Sequence, residues 1–365
     1  MSEWKKVKFL DFIVLQRGFD LTKESIKEGP YPVVCSTSIM GYHNDYKVKG
    51  PGVVIGRSGT LGETQYIRED FWPHNTTLYV KDFKGNDRQY VYYFMKKFDV
   101  ASMGGGAAIP SLNRNVLSNI VVSIPDISTQ CRIATILSRY DSLIENYKKQ
   151  IKLLEEAAQR LYKEWFVNLR FPGYENTKIV DGVPEGWEKK TIGDIVVYFD
   201  KQRKPLSSMQ RMNMEKIYPY YGAAALMDYV DSYLFDGIYL LFGEDGTVIT
   251  PDNFPVLQYV WGKFWVNNHA HVLRGKDSIS TEFLYSMFKE MPIADVVTGA
   301  AQPKISQGRL SDKKILMPSL KLIQEWSCIA KHYFGRIRVI TEQIRLLIEA
   351  RDRLLPKLMG RGIEV

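Results

Sequence analysis

Apolar residues recur three and four apart through residues 127–166, at Ile133, Ile136, Leu137, Tyr140, Leu143, Ile144, Tyr147, Ile151, Leu154, Ala158, Leu161 and Trp165. That spacing predicts one long helix with a single apolar stripe. The other faces carry Arg139, Asp141, Glu145, Lys148, Lys149, Lys152, Glu155, Glu156, Arg160 and Lys163, so they stay in water and one globular core cannot surround the helix. The stripe calls for a partner helix, and a coiled coil is the economical reading. Residues 321–359 supply the partner, with Ile329, Ile337, Ile340, Ile344, Leu347, Leu354 and Leu358 on similar spacing. The segment QIKLLEEAAQRL at residues 150–161 matches QIRLLIEARDRL at residues 343–354 almost residue for residue. The expected seam sets Ile133, Ile144, Ile151, Leu154 and Leu161 against Ile329, Ile337, Ile344, Leu347 and Leu354. A helix of about 38 residues, rising ~1.5 Å each, spans ~57 Å.

Between the helices the pattern changes period. Short runs bounded by Gly, Pro, Asn or Asp predict strands: YPVV, GVVIG, TTLYV and NIVVSIP early in the chain, GIYLLFG and KILMP later. Residues 90–98 and 282–290 carry apolar positions at helical spacing, so each globular part is α+β. These parts are one unit written twice. WKKVKFLDFIV from Trp4 returns as WEKKTIGDIVV from Trp187, an offset of 183; YPVVCSTSIMGY from Tyr31 and VIGRSGT from Val54 return as YPYYGAAALMDY and LFGEDGT at an offset of 187. Trp72, Asn75 and GAAIPSLNRNVLS from Gly106 find their matches at an offset of 193, which runs on into the long helices. So long a period is a domain duplication, since solenoids repeat every ~20–50 residues. The predicted fold is α+β: two globular heads in pseudo-two-fold repeat, separated by two long helices that form an antiparallel coiled coil. A Pro- and Gly-bearing connector at residues 168–187 joins the copies.

Composition narrows the class of partner. The chain has 365 residues, 45% hydrophobic and 13% aromatic, which suits folded domains, and Lys plus Arg exceed Asp plus Glu by 49 to 41 for a net charge of +8. A basic balance favours a polyanion. Cys35, Cys131 and Cys328 form no CxxC or Cys/His cluster, and the N-terminal MSEWKKVKFLDF has no apolar signal core, so the expectation is a cytoplasmic protein with neither disulfide framework nor membrane contact. Enzyme motifs are missing as well. GRSGTLGE at residues 56–63 has Glu where a phosphate-binding loop needs Lys, GEDGT at residues 243–247 would aim two carboxylates at a phosphate, and no stretch fits an amino-group methyltransferase. Of His43, His74, His269, His271 and His332, only His269 and His271 lie close together, and the other copy does not repeat them, so no metal site is expected.

What each copy does repeat is a pair of glycine-bearing loops whose frame is kept while the tips differ. The first copy offers Arg57, Ser58, Gly59 and Thr60 with Gly105, Ser111, Asn113 and Arg114; the second offers Glu244, Asp245, Gly246 and Thr247 with Lys304, Ser306, Gln307 and Arg309. Arg, Asn and Gln can grip purine edges, Glu and Asp can accept from cytosine, and Ser or Lys can hold phosphate, so these loops are the candidate DNA readers. A common scaffold with divergent tips suggests two readers of two targets.

These features together resemble the specificity subunits of type I restriction-modification systems. The resemblance covers the whole chain and is carried by the duplication, by LYKEWFVNLRFPGYENTKIVDGVPEGWEKKTIGDI at residues 161–195, similar to the family's central junction, and by RDRLLPKLMGRGIEV at residues 351–365, similar to its distal end. It implies a first target-recognition domain at residues 1–127, a helical region at 128–170, a connector and second target-recognition domain at 171–320, and a distal helix at 321–365. It also implies a non-catalytic subunit that reads a split sequence in double-stranded DNA. Two modification subunits would methylate adenine with S-adenosylmethionine, and restriction (motor-nuclease) subunits would use ATP and Mg; this chain itself would hold no cofactor. The alternative is a coiled-coil scaffold that binds proteins without reading DNA.

Overall fold

Residues of β-branched and aromatic type alternate with turn residues through both heads, and the chain folds accordingly into short strands wrapped on a few helices. The computed structural model describes residues 4–58, 61–98, 117, 120–299, 302–360 and 362–363. Residues 1–146 with 344–365 form one unit, and residues 147–343 the other.

In the first unit β1 (Trp4–Lys8) leads into α1 (Phe9–Phe12) and β2 (Val14–Arg17), followed by β3 (Tyr31–Val34), β4 (Ile39–His43), β5 (Gly52–Gly56), β6 (Thr64–Ile67), β7 (Trp72–Pro73) and β8 (Thr77–Asp82). Helix α2 (Arg88–Lys97) and β9 (Val121–Pro125) precede the long α3 (Ile127–Tyr162). The sheets run β2-β8-β5-β6 and β4-β3-β7, while β1 pairs with β9. Phe9, Phe12, Tyr90, Tyr93 and Met95 are buried against Ile133 and Leu137 of α3 and against Leu355, Leu358 and Met359 near the chain's end.

The second unit repeats this plan after β10 (Ile179–Val180) and β11 (Val183–Pro184). It contains β12 (Glu188–Thr191), α4 (Ile192–Ile195), β13 (Val196–Tyr198), α5 (Ser208–Met212), β14 (Tyr218–Tyr221), β15 (Leu226–Val230), β16 (Phe235–Gly243), β17 (Leu257–Val266) and β18 (Ala270–Gly275). Then come α6 (Thr281–Lys289), α7 (Gln307–Asp312), β19 (Lys314–Met317) and the long α8 (Leu320–Met359). Its sheet order β13-β18-β16-β17-β14-β15 reproduces the first unit strand for strand, except that the continuous β17 corresponds to the separate β6 and β7. The register is shared: β3 pairs parallel with β7 at Val33–Trp72, and β14 with β17 at Tyr220–Trp265, which are matched positions of the two copies.

Helix α3 ends in a π-helical turn at Lys163–Val167. The long helices do not stand apart as domains of their own. Each unit takes one half of each: the first half of α3 lies with the last half of α8 in the first unit, and the second half of α3 with the first half of α8 in the other. Antiparallel pairing requires that arrangement. A strict seven-residue row runs through Leu137, Ile144, Ile151, Ala158 and Trp165 of α3, and its counterpart in the second copy through Ala330, Ile337, Ile344, Arg351 and Leu358 of α8, the seam of a coiled coil. Of the expected seam residues, Ile133, Ile144 and Ile337 are buried, and Ile151, Leu154, Leu161, Ile344, Leu347 and Leu354 are half-buried. Ile329 is corrected: it is 41% exposed, because Trp326, Ala330 and Phe334 form the buried face and Ile329 points a quarter-turn away. No helix among the described residues is long and apolar enough to cross a membrane.

Candidate nucleic-acid interface

Each glycine-bearing loop leaves the end of a central strand, β5 or β16, and its first two amides turn back onto a neighbouring carbonyl. In the first unit Arg57 N and Ser58 N donate to Thr76 O at 2.9 and 3.2 Å; in the second, Glu244 N and Asp245 N donate to His269 O at 2.9 and 3.3 Å. Thr76 and His269 are matched residues, so these two bonds of the loop frame are shared. A second device also repeats. The Gln65 side-chain amide donates to Cys35 O and Ser36 O at 2.7 and 3.3 Å, and the Gln258 amide to Gly222 O and Ala223 O at 2.9 and 3.3 Å. In each unit one glutamine therefore holds the turn between β3 and β4, or between β14 and β15, in place. Ser36 Oγ links that turn to the loop through Ser58 O and Thr76 O in the first unit. Burial pushes the pKa of the Cys35 thiol in this turn up.

The side chains laid over this frame differ in sign. In the first unit Arg57 is half-buried, with Nη1 3.5 Å from Asn75 O, and nearby Arg17 pairs with Asp20 at 3.3 Å with both side chains largely in water. Asn75 also donates a short hydrogen bond to Asp20. In the second unit the position of Arg57 is taken by Glu244 and that of Arg17 by Asp200, and both acids turn inward. Arg203 reaches Glu244 at 2.6 Å and Asp200 at 3.5 Å; His271, 1% exposed, places Nδ1 2.6 Å from Asp200 and donates through Nε2 to Ile305 O at 2.9 Å. Asp200, Glu244 and His271 bring possible ligand atoms within 4.8 Å of one another. The Arg203 guanidinium sits against both acids as an internal cation, where a metal ion would have to bind.

This geometry redistributes the candidates. Glu244 is corrected from a free acceptor to a buried anchor: its side chain is 15% exposed and is held by Arg203, with Lys304 Nζ at 3.9 Å and His271 Nδ1 at 3.5 Å. Ser306 stands at the cap of α7, its hydroxyl accepting from Arg309 N. Asp245 accepts from Gln302 Nε2 at 2.9 Å, and Gly246, at φ 88°, donates its amide to Pro303 O. These bonds, with Ile305 N donating to Glu244 O, zip the two loops of the second unit together. Thr247, Lys304, Gln307 and Arg309 remain exposed around them. In the first unit Gly59, Thr60, Gly105, Ser111, Asn113 and Arg114 lie outside the described residues. Arg17, Ser36, Gln65, Asp200, Arg203, Gln258 and His271 are not among the candidates; the recurrence of Gln at the matched positions 65 and 258 is a signal the sequence carries.

Comparison with known proteins returns the same duplication. The family described as "Type I restriction modification DNA specificity domain" matches residues 1–156 and again residues 184–349. The chain is 27% identical over 307 residues to the type I restriction enzyme MjaIX specificity subunit of Methanocaldococcus jannaschii, an alignment spanning 76% of this chain and 69% of that one. It is 32% identical over 148 residues to a putative type I restriction enzyme specificity subunit, S.HindORF215P, of Haemophilus influenzae, covering 40% of this chain and 37% of the other. Its fold is similar to the crystal structure of a type I restriction-modification S subunit from M. genitalium, with a TM-score of 0.62 at 18% identity, covering 98% of this chain and 96% of that one.

Proposed function

The chain belongs to the type I restriction modification DNA specificity family, and from that premise we propose that it is a non-catalytic subunit that reads a split sequence in double-stranded DNA, one half with each unit. The observation that carries this reading is the pair of loop bonds shared by both units under unlike side chains, the half-buried Arg57 in the first and the exposed Thr247, Lys304, Gln307 and Arg309 in the second. A frame kept to single hydrogen bonds with unlike tips is what two readers of unlike targets require. A scaffold binding proteins alone gives no reason for it. In the second unit the exposed readers are Thr247, Lys304, Gln307 and Arg309, set on a platform held by Glu244, Arg203 and His271. Lys and Arg there can hold phosphate or a guanine edge. The paired helices set the gap between half-sites and dock two modification subunits, which supply S-adenosylmethionine chemistry; restriction subunits bring ATP and Mg. This chain contributes recognition and no cofactor.

The test is exchange of one head. Replacing residues 1–127 with the matching head of a related subunit, in cells that also express the modification subunits, changes one half of the methylated sequence and leaves the other untouched. Sequencing the methylated sites reads this directly, and a swap that rewrote both halves refutes the division of labour.

A further inference from the structure

The seam between α3 and α8 carries an ion pair in the first unit where the matched layer of the second unit is uncharged. In the first unit Arg351, the one charged member of the seven-residue rows, places Nη1 2.5 Å from Asp141 Oδ1, and Tyr93 Oη donates to Asp141 Oδ2 at 2.5 Å. The Arg351 and Asp141 side chains are only 14% and 27% exposed. At the matched positions the second unit has Phe334 for Asp141, Ala158 for Arg351 and Ser286 for Tyr93, at 2%, 1% and 0% exposure. The Phe334 ring fills the layer, 5.0 Å from the Tyr259 ring and 5.8 Å from that of Tyr285. Three matched positions thus change together, holding an ion pair and a tyrosine hydroxyl in one unit and Phe, Ala and Ser in the other, while the adjoining Ile144 and Ile337, or Ile151 and Ile344, are the same residue in both.

That difference matters for partner choice. If α3 paired with the α3 of a second copy, Asp141 would face Ala158 and lose its guanidinium; if α8 paired with the α8 of a second copy, Arg351 would face Phe334 and lose its carboxylate. Either exchange strands a largely buried charge, and removing one partner of such a pair is far more costly than the intact pair is stabilising. A single polar position in an otherwise apolar seam is an efficient selector of partners. We propose that the Asp141–Arg351 layer, with Tyr93, enforces pairing of α3 with α8 and rejects like-with-like pairing between copies of this chain. The inference is independent of DNA recognition.

The test uses the full chain with a protease site placed in the exposed turn at Asp181 and Gly182, folded intact and cut afterwards. Native mass spectrometry then counts pairs of unlike and like fragments after incubation. The wild-type sequence retains unlike pairs, with like pairs disfavoured at least about a hundredfold, as expected when a buried ion pair would be broken. Changing the layer to its counterpart, Tyr93→Ser with Asp141→Phe and Arg351→Ala, raises like pairs of the first fragment by at least about tenfold. The double change Asp141→Ala with Arg351→Ala removes both charges without adding bulk, and shows the same direction if the triple variant does not fold. Abundant like pairs in the wild type, or no increase in a folded variant, overturns the proposal.

Discussion

In the first unit the loop at Arg57 is held by main-chain bonds to Thr76 and keeps its cation partly in water, whereas in the second the matched Glu244 is drawn beneath its loop by Arg203 and His271. The frames are the same, so the difference lies in where the charges go. A loop fixed by backbone amides, beside a turn held by one glutamine from the neighbouring strand, does not need its own side chains for support. Those side chains can then diverge without loss of the fold, even to opposite sign. The second unit uses that freedom to build a buried network, and the first to leave an arginine available.

The sharpest way to break this contrast is to delete the cation on each side. Arg203 is 12% exposed and faces Asp200 and Glu244, which are 9% and 15% exposed. Removing it leaves two acids in a confined space, faced by His271, by the Val272 amide at Asp200 and by Lys304 Nζ 3.9 Å from Glu244. Arg203→Ala is expected to lower unfolding stability by about 3 kcal/mol or more, the cost of breaking a buried pair from one side. Arg17 pairs with Asp20 at side-chain exposures of 52% and 76%, so Arg17→Ala is expected to cost no more than about 1 kcal/mol. Urea unfolding of both variants checks this, and equal losses would mean that the two networks are alike after all.

A smaller effect should be symmetrical. Gln65→Ala and Gln258→Ala each free a turn from two carbonyl contacts, an expected loss of about 1–2 kcal/mol. In the assembled methyltransferase each change should relax discrimination only in the half-site of its own unit, read from the methylated sequences. Relaxation of both halves by either variant would mean that the turns do not act locally.

The elements were legible because periodicity is local. The three-and-four spacing of residues 127–166 and the bounded runs YPVV and GVVIG emerge as α3, β3 and β5, and the offset that drifts from 183 to 193 anticipates the shared strand order. The long helices' seam was legible only in part. Ile329 fits the apolar spacing as well as its neighbours do, but Trp326 and Phe334 are bulkier and claim the buried face. The roles of Glu244 and Ser306 were hidden for a different reason. Whether an acid in a loop is free depends on Arg203, well before it in the chain, and on His271, well after it, and no local pattern records that meeting. Ser306 sits in a loop by pattern and becomes a cap only because the short helix α7 starts after it.

The smallest expected difference concerns acid. On β15 the Asp228 carboxylate accepts from Lys216 Nζ and Arg211 Nε, both at 3.0 Å, tying the strand to α5 and the chain before β14. The Lys216 hydrogen bond first, then the Tyr229 amide, hold its pKa down at about 2, below the ordinary carboxylate range. The matched residue in the first unit is Gly41, which has no carboxylate to lose. A depressed acid pKa contributes stability that is present above the ordinary carboxylate range and is lost as pH falls through the folded value. Acidification from about pH 4 to about pH 2 is therefore expected to loosen the α5–β15 tie and leave the β3–β4 hairpin comparatively unchanged. Asp45, just beyond β4, is lowered chiefly by a hydrogen bond from its near neighbour Lys47 and bridges no strands. Amide exchange, corrected for intrinsic rates, should show protection falling at residues 211–217 but not at 31–43. Asp228→Asn should flatten that pH dependence, because the amide keeps the shape and loses the titration. Equal loss in both hairpins, or a variant with the same acid response, would place the acid sensitivity elsewhere in the heads.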